Sequence, residues 1–181
     1  MDSVVASDDI KEIQDIYDEY KEIKRFFEEY KQVTYLNRYT SIFTKNFLIS
    51  CASCLECKML STINHNLNPS NCILTSNFIN TQLERRFHTL FDWGTNNNIN
   101  AFLKKFGDEF KDFYCGNNDD EYEKAFITII AERNILVHEN YVLKSLDNTT
   151  AEDIKKNFDN AILFIDNFSG KICEFREQKK S

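Results

Sequence analysis

The residues of this chain best suited to chemistry fall together in Arg133-Asn134-Ile135-Leu136-Val137-His138. An imidazole is the side chain that gives and takes protons near neutral pH. A guanidinium offers a planar fork of donors to phosphoryl or carboxylate oxygens. An Arg and a His four intervening residues apart therefore supply charge stabilisation and proton transfer for work on a phosphoryl group. On a helix, Asn134 and His138 stand one turn apart on one face, where the carboxamide can hold the tautomer of the ring. Arg133 lies about 140° around the axis from His138, so one helix does not aim both groups at one phosphate with ease. A second copy across a two-fold axis brings another Arg and His to a shared cleft. The same residues have a plainer reading: Arg133 pairs with Glu132, Glu139 or another acid, and His138 caps the negative end of the helix. Spacing alone leaves both open.

Other clusters carry less. Cys51, Cys54 and Cys57 form Cys-x2-Cys-x2-Cys, which invites an iron–sulfur reading. The fourth position offers Leu60-Ser61 rather than Cys-Pro, and small thiols packed at helix contacts are the favoured account. His65 and His88 lie far apart and have no Cys at ligand spacing, so no metal site is expected. Basic residues are sparse. Of the doublets Arg85-Arg86, Lys104-Lys105 and Lys155-Lys156, Lys104 and Lys105 stand nearest the Asn-rich stretch and are the best candidates for an edge that contacts phosphates. Each doublet reads equally as a solvated helix face.

Composition limits what must position these groups. Gly and Pro together number five in 181 residues, far below the roughly 12% of average proteins. A β-sandwich or barrel cannot find its turns in such a chain. The four glycines are too far apart for G-x-G-x-x-G or a Walker A loop. The chain is acidic, with net charge −7, which opposes bulk attraction to nucleic acid or anionic membrane while permitting a local basic pocket. The acidic N-terminus has no apolar segment of a secretory signal, and no stretch reaches transmembrane length. The six Cys then read as reduced thiols, and the expected compartment is the cytoplasm.

The expected fold class is all-α, an up-and-down bundle of five or six helices. Residues 1–181 are read as one helical domain, in which an N-terminal helix over 1–36 can stand as an extension to the core bundle. The first helix opens on Ser7-Asp8-Asp9 and carries a stripe from Ile10 to Tyr30. A second, apolar on several sides, spans about Tyr39 to Ile63 and breaks over residues 64–69. A third follows a Ser70-Asn71 cap, runs through Leu74, Phe78, Leu83, Phe87, Leu90 and Phe91, and ends near Trp93-Gly94. The clearest loop is Asn96 to Asn98, after Trp93-Gly94. A short helix runs from Asn100 to about Tyr114, and the helix bearing Arg133 starts on Asp119-Asp120. The last follows a capping box at Thr150-Ala151-Glu152-Asp153.

Arg133-x4-His138, near the end of a late helix after an apolar run, resembles the signature of the HEPN superfamily. Phe91-Asp92-Trp93-Gly94-Thr95-Asn96-Asn97-Asn98, followed by Phe102-Leu103-Lys104-Lys105-Phe106-Gly107, is similar to the RiboL-PSP-HEPN branch, over roughly Phe47 to Phe168. Where such proteins commonly turn at Ala-His-Gly, this chain has Val137-His138-Glu139-Asn140. The resemblance implies a helical bundle and a homodimer that pairs two motifs. It implies a metal-independent endoribonuclease without cofactor, in which a ribose 2′-hydroxyl attacks the adjacent phosphorus. Arg133, His138 and Asn134 would be its catalytic residues, and Glu56 on the earlier helix would help to orient Arg133 or His138. RNA is the implied substrate, a stress-response or defence role the implied setting, and a cognate inhibitor protein a further implied partner. The alternatives are a non-catalytic HEPN module that binds a protein or RNA through the same cleft, or a helical adaptor using the first helix. Glu132 and Glu139 flank the motif and would repel RNA if they faced that cleft.

Overall fold

The computed structural model describes residues 2–68, 70, 72–84, 87, 99–115, 120–138 and 149–179. They form seven α-helices: α1 Asp2–Glu29, α2 Val33–Leu67, α3 Ile73–Glu84, α4 Asn100–Leu103, α5 Asp108–Cys115, α6 Asp120–His138 and α7 Ala151–Gln178. A 3-10 turn, Lys104–Phe106, separates α4 from α5. The all-α expectation holds, with one helix more than the upper count.

Four boundaries differ from the expected ones: α1 begins at Asp2, ahead of the expected start on Ser7-Asp8-Asp9, and the other three differ for local reasons. α2 starts at Val33 rather than near Tyr39, because the reversal after α1 needs only three residues. Lys31 takes a left-handed φ of 54°. Gln32 N–H then donates to Phe27 O at 2.8 Å and Lys31 N–H to Glu28 O at 3.1 Å, the two bonds of a Schellman cap. α2 also runs past Ile63 to Leu67. The first part of the stretch expected to break it, residues 64–67, is helical, with Asn66 Nδ2 donating back to Thr62 O at 2.8 Å. The helix ends within the expected 64–69, before Asn68, whose Oδ1 accepts from Cys72 N–H at 3.1 Å and whose Nδ2 donates to Ser76 Oγ at 2.8 Å. The helix expected over 100–114 divides at Gly107, which has a φ of 102° that only glycine adopts readily.

The contacts of the chain gather into two compact units, residues 1–55 with 128–159, and residues 56–127 with 160–181. In the first, Tyr20 of α1 is fully buried and stacks on Phe43 of α2 at 4.1 Å between ring centroids, while Tyr17 stacks on Phe47 at 5.7 Å. Ile129, Ile130 and Leu136 of α6 and Ile154 and Phe158 of α7 are among its other buried residues. Lys24 of α1 pairs with Glu152 of α7 at 2.9 Å. The expected capping box forms: Asp153 N–H donates to Thr150 Oγ1 at 3.1 Å, and Asp153 Oδ2 accepts from Thr150 N–H at 3.1 Å.

The second unit is built on Phe168 of α7, whose ring has Phe102, Phe106, Phe110, Tyr114 and Phe164 around it at 5.3–6.4 Å. Buried Asn66 ties α2 to α7, donating to Ser169 Oγ at 2.9 Å, while Arg176 Nη1 donates to the Asn66 carbonyl at 2.9 Å. On α3, Leu74 and Phe78 are 76% and 68% exposed. Helical period places them on one face but does not by itself supply a neighbour to cover it.

Candidate functional site

The motif occupies the last two turns of α6, and the first unit holds all of its residues. An apolar run, Phe126 to Ile130, precedes it and is buried except at Thr128. Burial anchors the helix there, and Leu136, two residues from the end, is wholly buried. The residues around Leu136 turn outward: Ile135 and Val137 are 42% and 49% exposed, and His138, the last helical residue, is exposed.

Arg133 is half-buried and directs Nη1 to Asn134 Oδ1 at 3.1 Å. The expectation for Asn134 concerned the imidazole; the partner its carboxamide oxygen has is the guanidinium. Helical geometry keeps Asn134 on the face of His138, one turn earlier. The bond therefore draws the Arg133 head towards that face across part of the angle that separates the two Cα positions.

Glu132, the residue expected either to pair with Arg133 or to repel RNA, does something else. Its Oε1 accepts from Thr149 Oγ1 at 3.2 Å, just ahead of α7. Burial raises the Glu132 carboxyl above the ordinary range, with Asp153 adding to the rise and the Thr149 bond opposing it. Among the described residues neither Arg133 nor His138 enters an ion pair. Glu139 lies outside the described residues.

Glu56 is half-buried on α2 and belongs to the second unit, as do Lys104 and Lys105, both exposed in the 3-10 turn. Cys51 and Cys54 are buried and Cys57 is exposed, and burial pushes the Cys51 thiol far above its usual range. Such a thiol is inert packing. His65 is exposed in the last turn of α2. Among the described residues no three His, Cys, Asp or Glu side chains gather as metal ligands, and no helix is long and apolar enough to cross a membrane. Arg85, Arg86, His88 and the loop from Trp93 to Asn98 lie outside the described residues.

Sequence reasoning did not find Thr149. Its neighbour Thr150 drew attention as a cap, but a partner for Glu132 seventeen residues away leaves no local signal.

Comparison with known proteins places the chain. The RiboL-PSP-HEPN family, of the HEPN superfamily, matches residues 6–174. No curated protein and no solved structure matches.

Proposed function

The chain belongs to the RiboL-PSP-HEPN family, and on that premise we propose that it is a metal-independent endoribonuclease whose active site two copies share. The observation that carries this reading is the state of Arg133. The nearest acid in sequence, Glu132, is engaged by Thr149, while the guanidinium is turned to Asn134, on the face of an exposed His138.

The chemistry follows from those side chains. A neutral His138 takes the proton of a ribose 2′-hydroxyl as its oxygen attacks the adjacent phosphorus. The bond from phosphorus to the 5′-oxygen breaks, and a protonated His138 of the second copy delivers a proton to that leaving oxygen. The products are a 2′,3′-cyclic phosphate and a 5′-hydroxyl. Arg133 holds the non-bridging oxygens through charge-assisted hydrogen bonds as negative charge grows on them. Asn134 positions Arg133.

A two-fold pairing of motifs is supported by the apolar residues beside His138. Exposed Ile135 and Val137 give a second copy something to cover around the polar centre. Lys104 and Lys105 are proposed to contact the RNA backbone. The setting proposed is stress response or defence in the cytoplasm, with a cognate inhibitor protein as a further partner.

The test is cleavage of RNA in EDTA by the parent chain, His138→Ala and Arg133→Ala, with helical content checked by circular dichroism. Either substitution is expected to slow cleavage by about 10²-fold or more. Equal cleavage by all three folded proteins removes the assignment.

A further inference from the structure

The hairpin of α1 and α2, within the first unit, leaves several large apolar side chains uncovered near its tip. Ile23, Phe26 and Tyr30 of α1 and Val33, Tyr35 and Ile42 of α2 are each 39–63% exposed. We propose that this face docks on the same face of a second copy of the chain, as a two-fold interface separate from the motif on α6.

These side chains form one surface rather than scattered points. Ile23 and Tyr30 stand seven residues apart, as do Tyr35 and Ile42, a spacing of about two turns that returns a side chain to the same side of its helix. Rings join the two helices. Phe26 lies 4.6 Å from Tyr30 and 6.0 Å from Phe27 between ring centroids, and Phe27 stacks on Tyr35 at 6.5 Å. A lone exposed apolar residue is ordinary on a protein surface, whereas a joined set that includes three exposed rings has the make-up of an interface centre.

Charge selects the occupant. On α1, Glu19, Glu22 and Glu29 fall within about 60° of Phe26 around the axis, while Glu28 stands about 160° away. Arg25 borders the same face, Lys31 sits at the reversal, and Arg38 lies between Tyr35 and Ile42 on α2. These three cations and the three carboxylates beside Phe26 are all exposed. Among the described residues none of the six enters an ion pair, whereas the nearby Lys21 and Lys24 are engaged by Asp18 and Glu152.

Three carboxylates around the rings repel the phosphates of RNA and of an anionic membrane. The three cations likewise repel a basic partner. A second copy meets both conditions, because a two-fold axis sets the carboxylates of each copy against the cations of the other, around an aromatic centre.

This inference does not rest on the ribonuclease reading, and its readout is the place of contact between copies. The full chain, with Phe26 replaced by p-benzoylphenylalanine, is purified and irradiated alone. Crosslinked pairs are expected, with the linkage mapping by mass to residues 19–42 of the other copy. Absence of pairs overturns the proposal, and so does a linkage that maps to α6. A crosslink to mixed-sequence RNA, added in a second arm, that replaces the one between copies overturns it too. Arg25→Glu with Arg38→Glu in the same chain sets like charges against each other and is expected to lower the yield of pairs about tenfold. Mixing that chain with one carrying Glu22→Lys and Glu29→Lys is expected to restore the yield. All four positions are exposed, and circular dichroism checks that the helices remain. An unchanged yield in the folded double variant, or no recovery on mixing, contradicts the proposal.

Discussion

Arg133 Nη1 donates to Asn134 Oδ1 at 3.1 Å, a bond between consecutive residues whose Cα positions point about 100° apart on the helix. It makes the guanidinium depend on a residue that shares its face with His138. Asn134→Ala is expected to release Arg133 and lower RNA cleavage by about tenfold, a loss of roughly 1.4 kcal/mol. That is less than Arg133→Ala should cost. Asn134→Asp keeps the acceptor but converts the bond to an ion pair, which draws positive charge away from substrate. Steady-state cleavage rates for the three variants check the order: Asn134→Ala closest to the parent, and Arg133→Ala furthest from it.

Glu132 gives a stability that depends on pH. Its carboxyl is raised, chiefly by burial, so between its unfolded and folded values the native state holds more protons than the unfolded one. The stability associated with the protonated form is fully present below the unfolded value. It is lost as pH rises through the folded value. Glu132→Gln keeps an oxygen for Thr149 and cannot ionise, so it is expected to stabilise the protein at pH 7. The advantage should shrink as pH falls through the carboxylate range. Urea melts of both proteins at a series of pH values give the comparison; a gain that grows on acidification contradicts the account.

Lys31 closes α1 in a left-handed conformation with φ 54°. A side chain there crowds the backbone, at a cost on the order of 1–2 kcal/mol that glycine avoids. Glycine also loses more entropy on folding. Lys31→Gly is expected to stabilise the chain by about 0.5–1 kcal/mol, seen as a higher urea midpoint. Lys31→Val should destabilise it, because a β-branched residue tolerates φ > 0 least.

Asn66 and Phe168 test the second unit. Asn66→Ala leaves Ser169 and the Thr62 carbonyl without the Asn66 amide but spares the Arg176 bond, which goes to the main-chain oxygen. A loss of about 1–3 kcal/mol is expected. Phe168→Ala empties the centre of a five-ring cluster and should cost about 3–5 kcal/mol. Denaturant titration measures both.

Features set by local chemistry were legible in the sequence. The shortage of Gly and Pro excluded β architecture, and Thr150 with Asp153 announced a capping box that forms as expected. Arg133 and His138 could be picked out and placed near the end of a late helix. What sequence missed depends on contacts distant along the chain or on a backbone choice with weak preference. Lys31 is not a residue that advertises a helix stop. Asn64 to Leu67 looked like a break, yet a buried Asn66 paired to α7 keeps them helical. Leu74 and Phe78 have the spacing of a core face, and spacing cannot say whether anything covers it. Glu132 read as a partner or an obstacle to Arg133 because its bond to Thr149 joins elements seventeen residues apart.

The central claim, that Arg133 and His138 cleave RNA through the 2′-hydroxyl, is tested most directly by the ends left on the product. Mixed-sequence RNA and its 2′-O-methyl counterpart are incubated in EDTA with the parent chain, and the 3′ ends are identified by mass. Fragments ending in 2′,3′-cyclic phosphate from RNA alone, absent with His138→Ala and with Arg133→Ala, are the predicted result. Cleavage of the 2′-O-methyl strand, or cyclic ends formed equally by both variants, would contradict it.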